Sequence, residues 1–188
     1  KLLQMPHGRP AGMYAIVLNT RRFIFNNPMV RKALAYALDF AWLNRTYFHG
    51  AYTRTNSYFE NSELAARMLP APAEIALLSP FRDSLPVQVF NQVYKPPATE
   101  GKTPPRRNLR KSGELLAEAG WHINNLRLRH KKSGQPLRFE ILLQRRSNEK
   151  LALHWAGNLQ KLGIAVTVRM VDPAQYQQRT STFDFDAI

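Results

Sequence analysis

The stretch from Leu137 to Val171 constrains the fold more than any other part of the chain. Leu137 to Leu143 is an apolar, strand-like run, and Ser147 then opens a helix with Leu151, Trp155, Leu159 and Leu162 on one face. Gly163 closes that helix, and Ile164 to Val171 follows as a second strand. A strand, helix and strand at this spacing form a crossover, which makes its two strands parallel partners in one sheet. The fold class is therefore α/β.

The other segments supply the rest of such a fold. Met13 to Asn19 is rich in strand formers, and Asn27-Pro28 reads as a helix cap with proline in the first helical position. Val30, Leu34, Ala37, Leu38 and Ala41 recur at helical spacing, and Asp39 caps a second helix that ends before Gly50. Residues 51–61 have no period. Short helical stretches near 62–68 and 73–78 lie between prolines, and residues 86–107, with Pro86, Pro96, Pro97, Pro104 and Pro105, form a long surface loop. Asn108 caps a helix that closes at Gly120 and packs Trp121 beyond it. Leu126 to His130 and Leu137 to Leu143 flank a segment, 131–136, of hairpin-loop composition. Asp172-Pro173-Ala174-Gln175 starts a short helix leading to a last strand at 183–188. The sum is about five strands and five or six helices in one domain over 1–188.

Several function classes drop out. No apolar run approaches the roughly 20 residues of a membrane-spanning helix, so no membrane insertion is expected. With no cysteine, disulfides, thiolate metal sites and cysteine nucleophiles are excluded. His7, His49, His122, His130 and His154 are never spaced as a metal pair, so neither a metal nor a cofactor is expected. Phosphate-cradling glycine loops and a nucleophile elbow are absent, and Asp184 and Asp186 alternate as solvated or hinge-facing acids rather than a catalytic dyad. The chain is not expected to be an enzyme. It starts at Lys1-Leu2 and stops in an apolar alternation at Ile188, which reads as a fragment of a larger protein.

Charge keeps one alternative open. Lys plus Arg number 27 against 13 Asp plus Glu, a formal charge of +14. Arg106-Arg107, Arg110-Lys111, Lys131-Lys132 and Arg145-Arg146 crowd residues 95–150, as a nucleic-acid-associated domain would have them. These charges are spread over loop, hairpin tip and helix ends, however, with no stacking aromatics and no helix-turn-helix pattern, which favours solvated surface.

The order of the motifs then becomes informative. Asn19-Thr20-Arg21-Arg22, Phe25 and the helix Val30-Arg31-Lys32-Ala33-Leu34-Ala35-Tyr36-Ala37-Leu38-Asp39 resemble the hallmark of extracellular solute-binding protein family 5. Leu115-Leu116-Ala117-Glu118-Ala119-Gly120-Trp121 and Leu159-Gln160-Lys161-Leu162-Gly163-Ile164 with Val166 are similar to two further segments of that family. Tyr176, Arg179 and Phe183-Asp184-Phe185-Asp186 follow in the family's order. Tyr58-Phe59-Glu60-Asn61-Ser62-Glu63-Leu64 and the proline-rich middle most resemble the branch that takes up peptides and microcin C-type antibiotics.

That resemblance implies one lobe (lobe II) of a type II, cluster C, periplasmic-binding-protein fold, a mixed sheet with flanking helices. It implies a monomeric periplasmic receptor, its signal peptide outside the given chain, that clamps an extended peptide between two lobes and delivers it to an ABC permease. Nucleic acid is not an implied partner. Carried over from relatives, the ligand contacts are Val17, Asn19, Arg21, Arg145, Ser147 and Arg179. The acidic residue that holds a peptide's amino terminus in relatives lies past Ile188, and Ala15 and Val17 stand where relatives often carry Tyr or Glu. The lobe alone is therefore expected to bind peptides weakly.

Overall fold

The computed structural model describes residue 5 and residues 7–99 and 105–188. In chain order these form helices α1 (Phe23–Asn26), α2 (Pro28–Tyr36), α3 (Phe40–Tyr47), α4 (Pro72–Leu78), α5 (Gln88–Asn91) and α6 (Arg106–Glu118). Strands β1 (Trp121–Asn124), β2 (Arg127–His130) and β3 (Arg138–Leu143) follow, then α7 (Glu149–Gln160), β4 (Ala165–Met170) and α8 (Pro173–Ser181). Ser79–Ser84 and Arg146–Asn148 are 3-10 turns. Backbone proximity divides the chain into two compact units. One is the described part of Lys1–Tyr14 with Thr53–Pro96, the other Ala15–Tyr52 with the described part of Pro97–Ile188.

The smaller unit has little regular structure. Glu74 accepts the Ala71 N–H at 2.7 Å and so starts α4. Asn61, at φ 63°, donates to the carbonyls of His7 and Arg9 at 2.9 Å each. The helical stretch expected near 62–68 is absent; the Ala66 N–H, which a helix would send to the Ser62 carbonyl, goes instead to the Ser57 hydroxyl at 3.2 Å. The expected loop at 86–107 contains the single turn α5, and its residues 100–104 lie outside the described ones.

In the larger unit three of the sequence's cap signals hold. Asn27 Oδ1 accepts from Met29 N at 2.8 Å, Asp39 Oδ1 from Trp42 N at 3.1 Å and Asp172 Oδ1 from Gln175 N at 2.9 Å. Asn108 is not the cap of α6. The helix begins two residues earlier, which leaves Asn108 buried in its first turn, donating to the Ala98 carbonyl at 3.1 Å. Ser147 likewise precedes α7 in the 3-10 turn, and its hydroxyl donates to Asn148 Oδ1 at 3.2 Å.

β3 and β4 pair in parallel from Arg138↔Ala165 to Leu143↔Met170, with α7 as the crossover. The chain at Leu18 and Ala187 adds to this sheet through single bridges, Leu18 antiparallel to Ala187 and Ala187 parallel to Ile141. The spatial order is thus 17–19, 186–188, β3, β4, a mixed arrangement. The expected strand at 13–19 is reduced to that one bridge. β2 pairs with β1, a strand the sequence reading missed, and meets the start of the β3 run only at Arg129↔Pro136. Asn125 and Leu126, at φ 49° and 62°, supply the two-residue turn that folds β1 onto β2. Among the described residues there are four strands, not five, in two two-stranded sheets.

The core lies between α2, α6, α7 and β3, where Phe25, Leu34, Leu116, Ile141, Trp155 and Leu159 are buried. Side chains from α6 and α7 take carbonyls at the end of α2 that have few or no partners of their own. Ser112 Oγ donates to Ala33 O at 2.7 Å, Trp155 Nε1 to Leu34 O at 3.1 Å and Asn158 Nδ2 to Ala37 O at 3.1 Å. Three helices are thereby fixed in register by hydrogen bonds that an apolar environment protects.

Beside this core His154 stacks on Trp42, ring centres 4.1 Å apart. Burial pushes its imidazole pKa below the usual value; the Asp39 carboxylate raises it and Lys161 lowers it. A histidine with a depressed folded pKa contributes fully to stability above its unfolded pKa of about 6.5, and that contribution is lost as pH falls toward the folded pKa. Urea unfolding at pH 7.5 and 5.5 is expected to show a larger acid-induced loss in the native sequence than in His154→Gln. Equal losses in the two proteins contradict this assignment.

Candidate functional site

Residues 17–19 and 186–188 form an antiparallel ribbon. Val17 N donates to Ile188 O at 2.8 Å, Ile188 N to Val17 O at 3.0 Å and Asn19 N to Asp186 O at 2.9 Å. In such a pair alternate residues point away from the partner. Ile16 and Leu18 therefore turn their backbone groups outward, and they make no backbone hydrogen bond among the described residues. This is an open sheet edge. Val17 has both backbone groups taken and presents its side chain, 50% exposed.

Asn19 is buried and fully engaged. Its Nδ2 donates to Phe183 O at 3.0 Å and Phe185 O at 2.8 Å, while Oδ1 accepts from Arg21 N at 3.1 Å. The Arg21 guanidinium lies 3.5 Å from the centre of the Phe183 ring, a cation–π contact. Arg179 donates to Glu140 at 2.8 Å and to the Asp184 carbonyl at 2.8 Å. These three expected ligand contacts thus gather around Phe183 to Asp184 and Glu140.

A network of ion pairs surrounds them, in which Asp184 and Asp186, expected as solvated or hinge-facing acids, are partners of Arg22. Arg22 reaches Asp184 and Asp186, both at 3.1 Å, and donates to Phe185 O at 3.3 Å. Arg169 pairs with Glu140, which also holds Arg179, and Asp186 Oδ2 accepts the Glu140 N–H at 3.0 Å. Single exposed pairs contribute little, but a network sharing its members holds geometry better than its pairs would separately. The alternation of Asp184 and Asp186 was its only trace in the sequence, since Arg22 and Glu140 lie far away along the chain.

Arg145 and Ser147 lie elsewhere, just past the carboxyl end of β3, and both are exposed. Ser147 joins Tyr47, Phe48, Arg146, Lys150 and Leu151 around a depression of about 310 Å³. Lys150 Nζ sits 5.6 Å from the Tyr47 ring centre. No carboxylate is among these lining residues, so the depression is electropositive. Val17, paired with Ile188 one step beyond the Ala187 to Ile141 bridge, is also toward the carboxyl end of β3. Ligands of open α/β sheets bind outside the carboxyl ends of strands. Of the six expected contacts, Val17, Arg145 and Ser147 thus lie on that side, while Asn19, Arg21 and Arg179 contact residues 183–185 or Glu140.

Comparison with known proteins agrees with this architecture. The model of bacterial extracellular solute-binding proteins, family 5 Middle, matches residues 1–188. The YejA protein of Escherichia coli is 42% identical over 171 residues, covering 91% of this chain and 28% of that protein. The YejA protein of Agrobacterium fabrum, whose name reads "probable peptide-binding protein", is 41% identical over 174 residues, covering 93% of this chain and 28% of that one. The chain thus spans less than a third of the length of these relatives. The oligopeptide-binding protein AppA of Bacillus subtilis, solved with a nonapeptide, superposes with a TM-score of 0.65 at 21% identity, over 92% of this chain and 29% of that one. At that identity the likeness concerns the fold, that of one lobe of a periplasmic binding protein. The chain belongs to the bacterial extracellular solute-binding proteins of family 5.

Proposed function

We propose that the full-length protein is the substrate-binding component of an ABC-type peptide importer, acting in the periplasm and handing its cargo to permease subunits. The observation that carries this reading is the open edge at Ile16 and Leu18 on a sheet of this family. An extended peptide adds to such an edge through main-chain hydrogen bonds, which give affinity with little dependence on side chains. The electropositive depression beside Ser147, with Arg146 and Lys150, suits a peptide carboxylate. The YejA relatives are compatible with the peptide and microcin C uptake branch that the sequence resembles.

The charge of the chain fits this role without a nucleic acid. Arg106, Arg107 and Arg110 on α6 and Arg127, Lys131 and Lys132 on the hairpin face solvent, while Arg22, Arg169 and Arg179 are paired with acids. Calorimetric titration of the full-length protein with penta-alanine is expected to give saturable binding. Replacing Arg146 and Lys150 together by alanine is expected to weaken the free-acid peptide about tenfold, within the range of a lost charge-assisted contact, and to leave the C-terminally amidated peptide unchanged. Absence of peptide heat, together with DNA retention that falls steeply with salt, contradicts the reading.

A further inference from the structure

We infer that Asn19 and Arg22 are positioning residues of the peptide-accepting edge, clamping the 17–19 and 186–188 segments into one ribbon rather than touching the ligand. The inference rests on the peptide-edge reading above and assigns its geometry to a particular set of contacts.

The ribbon itself is short. Between 17–19 and 186–188 it is held by the Val17 to Ile188 pair and the Asn19 to Asp186 bond, and on its far side by Ala187 N to Glu140 O at 3.1 Å and Leu142 N to Ala187 O at 2.8 Å. A strand of three residues at a sheet edge frays readily, and its register is weakly specified by backbone bonds alone. A one-residue slip would turn the outward groups of Ile16 and Leu18 inward.

What prevents that slip is the turn preceding the last segment. Asn19 uses both Nδ2 hydrogens on the carbonyls of Phe183 and Phe185, and its Oδ1 on the Arg21 N–H. Arg22 then fixes the same turn through Phe185 O, Asp184 and Asp186. Phe183 stands at φ 57°, a left-handed conformation that a non-glycine residue keeps only when its surroundings enforce it. The Asn19 bond to its carbonyl and the Arg21 guanidinium against its ring are those surroundings. Moving the register by one residue would break at once the contacts that Asn19, Arg21 and Arg22 make with residues 183–186, so these select one alignment. With its polar atoms so engaged and 5% of its surface exposed, Asn19 reaches a ligand only through the edge it aligns.

The test uses the full-length protein with penta-alanine as probe, comparing the native sequence with Asn19→Ala, Arg22→Gln and Arg22→Lys. Arg22 is the safer position, its side chain being 42% exposed, so Arg22→Gln is expected to fold even if Asn19→Ala does not. In Arg22→Gln the amides of Val17, Asn19 and Ile188 are expected to exchange hydrogen about tenfold faster, with β3 and β4 keeping their protection. The peptide dissociation constant is expected to rise about tenfold, and Arg22→Lys, which keeps the charge, to recover part of both effects. Unchanged exchange at the ribbon overturns the clamp. Faster exchange with unchanged peptide affinity overturns its positioning role. If the native protein binds no peptide, the functional reading fails; the exchange comparison then still decides whether the clamp exists, and its role in presenting a peptide falls with the reading.

Discussion

Trp155→Ala is expected to destabilise the larger unit by about 3–5 kcal/mol, the range for removing a buried tryptophan. Trp155 is 3% exposed, packs against Phe139 with ring centres 5.8 Å apart and donates Nε1–H to the Leu34 carbonyl. The substitution opens a cavity between α7, β3 and α2 and removes a tie at the end of α2. Since domains of this kind are stable by only about 5–15 kcal/mol, a large part of the total would be lost. Urea unfolding followed by circular dichroism measures it. Trp155→Phe separates the two causes: it keeps most of the apolar volume and loses the hydrogen bond, so it is expected to cost about 1–3 kcal/mol. Equal losses in the two variants would mean that packing is not the main contribution.

The second large effect is at Gly163. Its φ of 79° is left-handed, and a Cβ added there would meet Leu128 N at 2.9 Å and Arg127 C and Leu126 O at 3.3 Å. All three are backbone atoms of the β1–β2 hairpin, which cannot rotate away as a side-chain tip could. Leu128 N also donates to Gly163 O at 2.8 Å, so relief by separation would break that bond. Gly163→Ala is expected to cost about 2–4 kcal/mol, combining left-handed strain with overpacking. Gly120→Ala is the control. Its φ is 86°, but its Cβ would meet nothing nearer than His130 Nε2 at 3.8 Å, so strain alone remains, about 1–2 kcal/mol. Thermal unfolding of the two variants measures the difference. Equal costs contradict the close approach of hairpin and helix end.

Those two positions also show what the sequence could and could not reveal. Gly163 was legible as a helix end because the period of α7 stops there, but its contact with β2 was not, since that hairpin is far away in sequence. The crossover and the caps at Asn27, Asp39 and Asp172 were legible because each rests on local chemistry over a few residues. Asn108 was misread because an asparagine before apolar residues looks the same whether it caps a helix or is buried in its first turn by a distant carbonyl. β1 was missed because Trp121 to Asn124 has only Trp121 buried, too little alternation to mark a strand. At the site, Val17, Arg145 and Ser147 came from a family resemblance and fall toward one end of the sheet. The contacts that Asn19, Arg21 and Arg179 make within the chain were not legible, because they depend on Phe183 to Asp186 folding back onto them.

A peptide importer's receptor must carry a peptide in its full-length form. Native mass spectrometry of that protein, purified without refolding, tests this most directly. Peptide-sized adducts on the folded protein, lost on denaturation, are expected. A clean ligand-free mass, with nucleic acid released only by high salt, would contradict the importer reading.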